Sequence, residues 1–136
     1  MTKKKTIFFV IVLLGLIAAA YGYYEYSRPL ADLSSAKSVA QLNANDLYKE
    51  FENNETKANE KYLDKVISVE GDVLKIENKN NKQSIYLLTE SMMSSIICEM
   101  DDNHKTTSVT EGQKIQIKGL CTGYLMDVIL VRCVIE

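Results

Sequence analysis

A mainly β fold is predicted for this chain of 136 residues: five strands closing a small Greek-key barrel, an amphipathic helix before it, and a membrane-crossing helix at the N-terminus. Three observations predict it. Residues 7–24 are uncharged and largely apolar behind Lys3, Lys4 and Lys5. Leu47, Phe51, Ala58 and Tyr62 recur at helical spacing. From Val66 the apolar period drops to two, in short runs parted by glycines and polar turns.

The N-terminal run sets the address. As a helix, residues 7–24 span ~27 Å, enough to cross a bilayer core. The three lysines before it keep the amino end in the cytosol and send the rest across. Tyr21, Tyr23, Tyr24 and Tyr26 then stand where an aromatic belt lies in the outer interface. The competing reading is a secretory signal, with its apolar region at 7–17 and a small-residue cleavage site at Ala18-Ala19-Ala20. Apolar character and tyrosines that continue past the alanines favour the anchor. Both readings export the remainder. No cysteine precedes Cys98, so acylation of an N-terminal cysteine is not available. Residues 1–26 are thus read as anchor or signal, 27–42 as a polar spacer holding the only proline, Pro29, and 43–136 as the folded domain. The expected placement is a single-pass cell-membrane protein with its C-terminal domain periplasmic or at the cell surface.

Composition narrows the function classes. From Ala31 onward there are 12 Lys or Arg against 17 Asp or Glu, a net charge of −5. An acidic domain repels phosphate backbones unless its cations are concentrated in one place, so the count weighs against nucleic acid. Cys98, Cys121 and Cys133 all fall in the exported part, where thiols oxidise, but an odd number leaves one over. There is no C-x-x-C, and the single histidine, His104, lies in a polar loop. A zinc site needs about four N or S ligands at compact spacing. No metal and no cofactor are expected.

The elements follow in order. Residues 43–60 read as a helix, with Asn43 as cap, Asp46 completing a capping-box-like pair, and Glu50, Asn53, Lys57 and Lys61 on the solvent face. Residues 66–76 form a long strand, with Gly71 where a bend or bulge is expected. Residues 77–83 are a polar turn, 84–88 a second strand and 96–100 a third. Residues 101–111 are polar and irregular. Gly112 and Gly123 then bracket strands at 114–121 and 127–135. Five short strands with a long, bent first one suggest a barrel of the OB type.

The run Asn54-Glu55, Ala58, Tyr62, Lys65, Val69-Glu70-Gly71 resembles the start of the bacterial tRNA-anticodon-like (tRNA_anti-like) OB-fold family. The resemblance continues through Ile97-Cys98 and Glu111-Gly112-Gln113. It is densest in Gly119-Leu120-Cys121-Thr122-Gly123, Asp127-Val128-Ile129-Leu130 and Cys133. It covers residues 43–136 and implies an OB barrel, in a family several of whose members look similarly membrane-tethered. OB-folds usually place a helix where residues 101–111 lie, and their Thr, Asn and Asp content speaks against one here. A shared fold does not carry an activity with it.

Candidate sites are few. Lys75, Lys79 and Lys82 flank the first turn, with Tyr86 on the next strand, where OB-folds commonly bind. Single-strand binding calls for cations plus several stacking aromatics, and one tyrosine is on offer with Glu77 among the lysines. A solvated hairpin is the bland reading, yet a ligand, if bound, is expected there. The cysteines sit on apolar strand faces and read either as small core residues or as a disulfide. A tight hairpin turning near Tyr124 would put Cys121 opposite a residue near Val128, about five residues short of Cys133. Cys98 is the better-placed partner for either, because the third strand borders the fifth in an OB barrel, and the pairing stays open. Glu70 and Asp72 share one strand face and cannot face each other across a substrate as glycosidase carboxylates do. No nucleophile motif, P-loop or dinucleotide fingerprint occurs, so no catalytic residue is named and an enzyme is the least supported class. Asn54-Glu55-Thr56 matches a glycosylation sequon by chance. The expected function is a membrane-anchored, extracytoplasmic binding module for an envelope protein, glycan or small ligand, the alternative being a single-strand nucleic-acid-binding domain.

Overall fold

The computed structural model describes residues 2–28 and 32–136, and the chain divides into two units between residues 31 and 32. The first is the helix α1, Lys3–Tyr26, whose 24 residues extend ~36 Å. Its most apolar stretch has a mean hydropathy of 2.2 and none of that stretch is buried. By length and composition α1 can cross a membrane. It runs further at both ends than the uncharged core of the segment, taking in the lysines and all four tyrosines. Pro29, part of the expected spacer, lies outside the described residues.

The second unit holds β1 (Gln41–Asn43), α2 (Ala44–Asn53), α3 (Glu55–Tyr62), β2 (Val66–Lys79), β3 (Lys82–Leu87), β4 (Ile96–Met100), β5 (Lys114–Leu125) and β6 (Asp127–Ile135). The sheet order is β1-β2-β3-β4-β6-β5, and pairing of β2 with β5 closes β2–β6 into a five-stranded barrel. β4 and β6 run parallel, the crossover that distinguishes an OB barrel from a simple meander. Inward residues alternate along each strand: Ile85 and Leu87 on β3, Ile96 and Cys98 on β4, Val128 and Leu130 on β6 are all fully buried. Leu47 and Phe51 of α2 join this core, Phe51 stacking on Tyr124 with ring centroids 5.7 Å apart.

Several details depart from the sequence reading. The helix expected at 43–60 is two helices. Asn43 caps the first as foreseen, accepting from the Asp46 N–H at 2.8 Å. Asn54, however, leaves helical geometry and caps α3 through the Lys57 N–H at 3.0 Å. A second capping asparagine breaks the helix and lets its halves turn around the barrel end. Folded structure also begins upstream of Asn43. β1 pairs in parallel with β2, Leu33 is buried, and the buried Lys118 ammonium donates to the Ser34 carbonyl at 3.0 Å. These contacts strap the segment after residue 32 across β2 and β5.

Gly71 is not the bulge. The register slips between Val73 and Lys75, whereas a Cβ on Gly71 would lie 3.1 Å from Ala44 Cβ and 3.3 Å from Leu87 Cβ. Glycine is needed there for close approach. The polar turn is tighter than expected: β2 and β3 continue to Lys79 and Lys82, joined by Asn80 and Asn81, both left-handed at φ 51° and 61°. That is the two-residue turn whose twist suits a hairpin, and asparagine tolerates it. Residues 101–111 form no helix; the Gln83 side chain accepts from the Thr106 N–H at 2.9 Å and donates to its carbonyl at 2.7 Å.

Candidate functional site

Strand pairing brings one transverse row to the outward face of the barrel. Lys75 stands opposite Tyr86, Tyr86 opposite Ile97, and Ile97 opposite Ile129. Tyr86, Ile97 and Ile129 have buried neighbours on both sides, so the pleat turns these three side chains out, where they are half-buried. The result is an apolar stripe over β3, β4 and β6 with one tyrosine in it and a lysine at its edge.

The lysine end is locally neutralised. Lys75 Nζ lies 2.7 Å from Glu77 Oε1 and 4.1 Å from the centroid of the Tyr86 ring. The Tyr86 hydroxyl donates to Glu77 Oε2 at 3.0 Å. The Glu77 bond raises the Lys75 pKa, and the same bond lowers that of Glu77. Burial, then Glu77, pushes Tyr86 upward. Lys79 and Lys82 face each other across the hairpin and make no ion pair among the described residues. Of the four residues singled out from the sequence, Lys75 and Tyr86 thus belong to one cluster, while Lys79 and Lys82 stand further out at the turn. Ile97 and Ile129 were missed as part of this face. Both lie in unbroken apolar runs, Ile96–Cys98 and Val128–Val131, and the spacing placed Ile129 and Val131 on one face with Cys133; the structure buries Val128, Leu130 and Cys133 and turns Ile129 out.

The cysteines are all buried free thiols inside the barrel. Cys121 pairs with Leu130 rather than with a residue near Val128, because the turn falls at Met126 and not near Tyr124, an offset that the slip between Cys121 and Gly123 shortens by one residue. Cys98 also pairs with Leu130, from the other side. Cys98 and Cys121 are therefore separated by a full strand. Cys133 fills the space above Gly119, where an added Cβ would come within 2.5 Å of its Sγ. Burial and the adjacent Cys98 thiol raise the Cys133 pKa, and burial raises that of Cys121. Cys121 and Cys133 are thereby held in the unreactive, protonated form.

Open polar clefts also mark the surface, two of them of similar volume. One, about 340 Å³, is lined by Asn43, Lys49, Glu70, Asp72 and Glu90 among others. Glu70 is paired there with Lys114 at 3.5 Å. The other, about 380 Å³, lies between His104, Gln113, Gln116 and Glu136. Among the described residues no cluster of His, Cys, Asp or Glu could hold a metal ion.

The tRNA_anti-like family matches residues 1–135. The chain belongs to the tRNA_anti-like family. Among solved structures it is similar to the "putative nucleic acid-binding lipoprotein" of Klebsiella pneumoniae subsp. pneumoniae MGH 78578. That likeness has 15% identity and a TM-score of 0.58, and covers 80% of this chain and 99% of the other. A second likeness is to a "putative aspartyl-tRNA synthetase" of Leishmania major Friedlin, at 10% identity and a TM-score of 0.45, over 89% of this chain and 26% of that one. No curated protein matches. The Klebsiella likeness shows the OB fold that the tRNA_anti-like barrel shares. Its name gives no support to the exclusion of nucleic acid drawn from net charge.

Proposed function

We propose that this tRNA_anti-like protein is a membrane-tethered binding module rather than an enzyme, its barrel held outside the cytoplasm and its ligand docking on the outward face of β3, β4 and β6. The observation that carries this is the transverse row Lys75, Tyr86, Ile97 and Ile129. It is a continuous, half-exposed apolar stripe on the face that OB-folds use for ligands. The basic stub and α1 support tethering and export. An envelope protein, a glycan or a small ligand fits the row better than a polyanion, because Glu77 already occupies Lys75.

A photo-crosslinking residue placed at Tyr86 in intact cells tests the face. The expected result is a discrete adduct from position 86 and none from Glu111, which is exposed on a loop away from the row. Equal labelling from both positions would remove the row from the account.

Single-stranded nucleic acid is the second reading, favoured by the family's name and by that of the Klebsiella lipoprotein. It requires binding of an oligo-dT that weakens steeply with salt and is lost when Lys75, Lys79 and Lys82 are changed to Glu. Absence of binding at low salt would dismiss it.

A further inference from the structure

Four apolar side chains stand in solvent at one end of the barrel, and their neighbours indicate what would cover them. Met92 and Met93 are 104% and 80% exposed in the β3–β4 loop; Leu125 and Met126 are 82% and 60% exposed at the β5–β6 turn. The loops are built to hold them out. Thr89 Oγ1 donates to the Ser94 carbonyl at 2.6 Å, closing the first loop, and the Met93 N–H donates to Ser91 Oγ at 3.2 Å. Asp127 Oδ1 accepts from the Ser95 N–H at 2.6 Å and its hydroxyl at 3.1 Å, binding the two loops side by side. Met126 takes the turn alone, at φ 71°, a conformation a methionine adopts only under constraint. Single exposed apolar residues are ordinary, but four on adjoining loops mark an interaction site. Three are methionine and the fourth, Leu125, adjoins one, and methionine adapts its shape to a partner.

The rim supplies the sign of the partner. Glu52, at the end of α2, accepts from the Tyr48 hydroxyl at 3.0 Å, and the Tyr48 ring packs on Tyr124, the residue before Leu125. Glu52 and Glu55 both act electrostatically on Tyr124. Asp127 follows Met126 directly. Glu52, Glu55 and Asp127 make no ion pair among the described residues. Of the nearby cations, Lys49 is taken by Glu90 at 2.9 Å, and Lys75, which also acts electrostatically on Asp127, is taken by Glu77 at 2.7 Å.

We propose that this tip is a docking surface for a polypeptide segment whose apolar side chains are flanked by lysines or arginines. The proposal rests on the reading of the protein as a binding module and names the chemistry of its partner. Charge complementarity selects this occupant. A phosphate backbone, an anionic lipid headgroup and a second copy of a domain with net charge −5 all meet the same carboxylates as repulsion.

The test uses the full chain in phosphatidylcholine nanodiscs and a fluorescent peptide of four central leucines flanked by three lysines on each side. Empty discs are the blank, and a peptide with glutamates in place of the lysines is the comparison. The expected result is saturable binding of the lysine peptide, at least tenfold tighter than the glutamate peptide and weakened by salt. Met93→Ser with Leu125→Ser should cost at least tenfold, and Glu52→Gln with Glu55→Gln should reduce both affinity and salt dependence. All four positions are exposed, and circular dichroism confirms that the variants fold. Equal binding of both peptides, no binding of either, or insensitivity to the loop variant would overturn the proposal. So would a chain that dimerises through this tip or binds oligo-dT there. If binding is lost with Tyr86→Ala but not with the loop variant, the outward row stands and this inference falls.

Discussion

Gly119 shows how closely single residues are fitted in this barrel. An added Cβ would sit 2.5 Å from Cys133 Sγ and 3.2 Å from Leu130 Cβ. Gly119→Ala is therefore expected to destabilise the domain by about 1–3 kcal/mol through overpacking. Combined with Cys133→Ala, its cost should shrink, a coupling that a double-mutant cycle in urea reads directly. At the domain's upstream end, Asp32 has a pKa of about 2, lowered from 3.8 first by the Ser34 backbone N–H and then by His104, 2.9 Å away. The folded value lies below the unfolded one. Its stabilising contribution is thus fully present above pH 3.8 and lost as pH falls through about 2. Asp32 is exposed, so the effect is small. Asp32→Asn should lower stability slightly at neutral pH, the deficit shrinking to nothing as pH falls through that window, so that the acid limb is flatter than the parent's. A variant that unfolds along the same acid limb as the parent would refute it.

Among the elements, the second capping asparagine offers the plainest experiment. Asn54→Ala removes the acceptor for the Lys57 N–H and should cost about 1 kcal/mol, measured by denaturant midpoint. A neutral result would mean that packing of Ala58 and Tyr62 alone holds α3 in place. Elements with their own periodicity were legible in the sequence: the apolar N-terminal helix, the five barrel strands, and the cap at Asn43. What depended on distant partners was not. β1 is three residues with no apolar signal, and it exists because the β2 edge is open there. The break at Asn54 was hidden because the apolar spacing runs through it. The expected Cys121 register failed because the β5–β6 turn falls at Met126 instead of near Tyr124, a position fixed by the pairing of the two strands. The lysine cluster was read by proximity in sequence, whereas Ile97 and Ile129 enter the face only once β3, β4 and β6 are known to adjoin.

For the whole molecule, charge and address act together. An acidic barrel with an outward apolar row and a carboxylate-rimmed tip is suited to polypeptide or neutral ligands, provided it stands where such ligands are met. The buried thiols respond to compartment unequally. Cys98 and Cys133 are neighbours and Cys121 lies apart, so denaturing alkylation should find Cys121 reduced in protein from either compartment. The central claim is a tethered domain outside the cytoplasm, and the measurement that tests it most directly is protease treatment of intact cells stripped of any outer wall. Blotting for the C-terminal domain should show it lost without lysis. Protection until the membrane is broken would put the barrel in the cytosol and contradict the account.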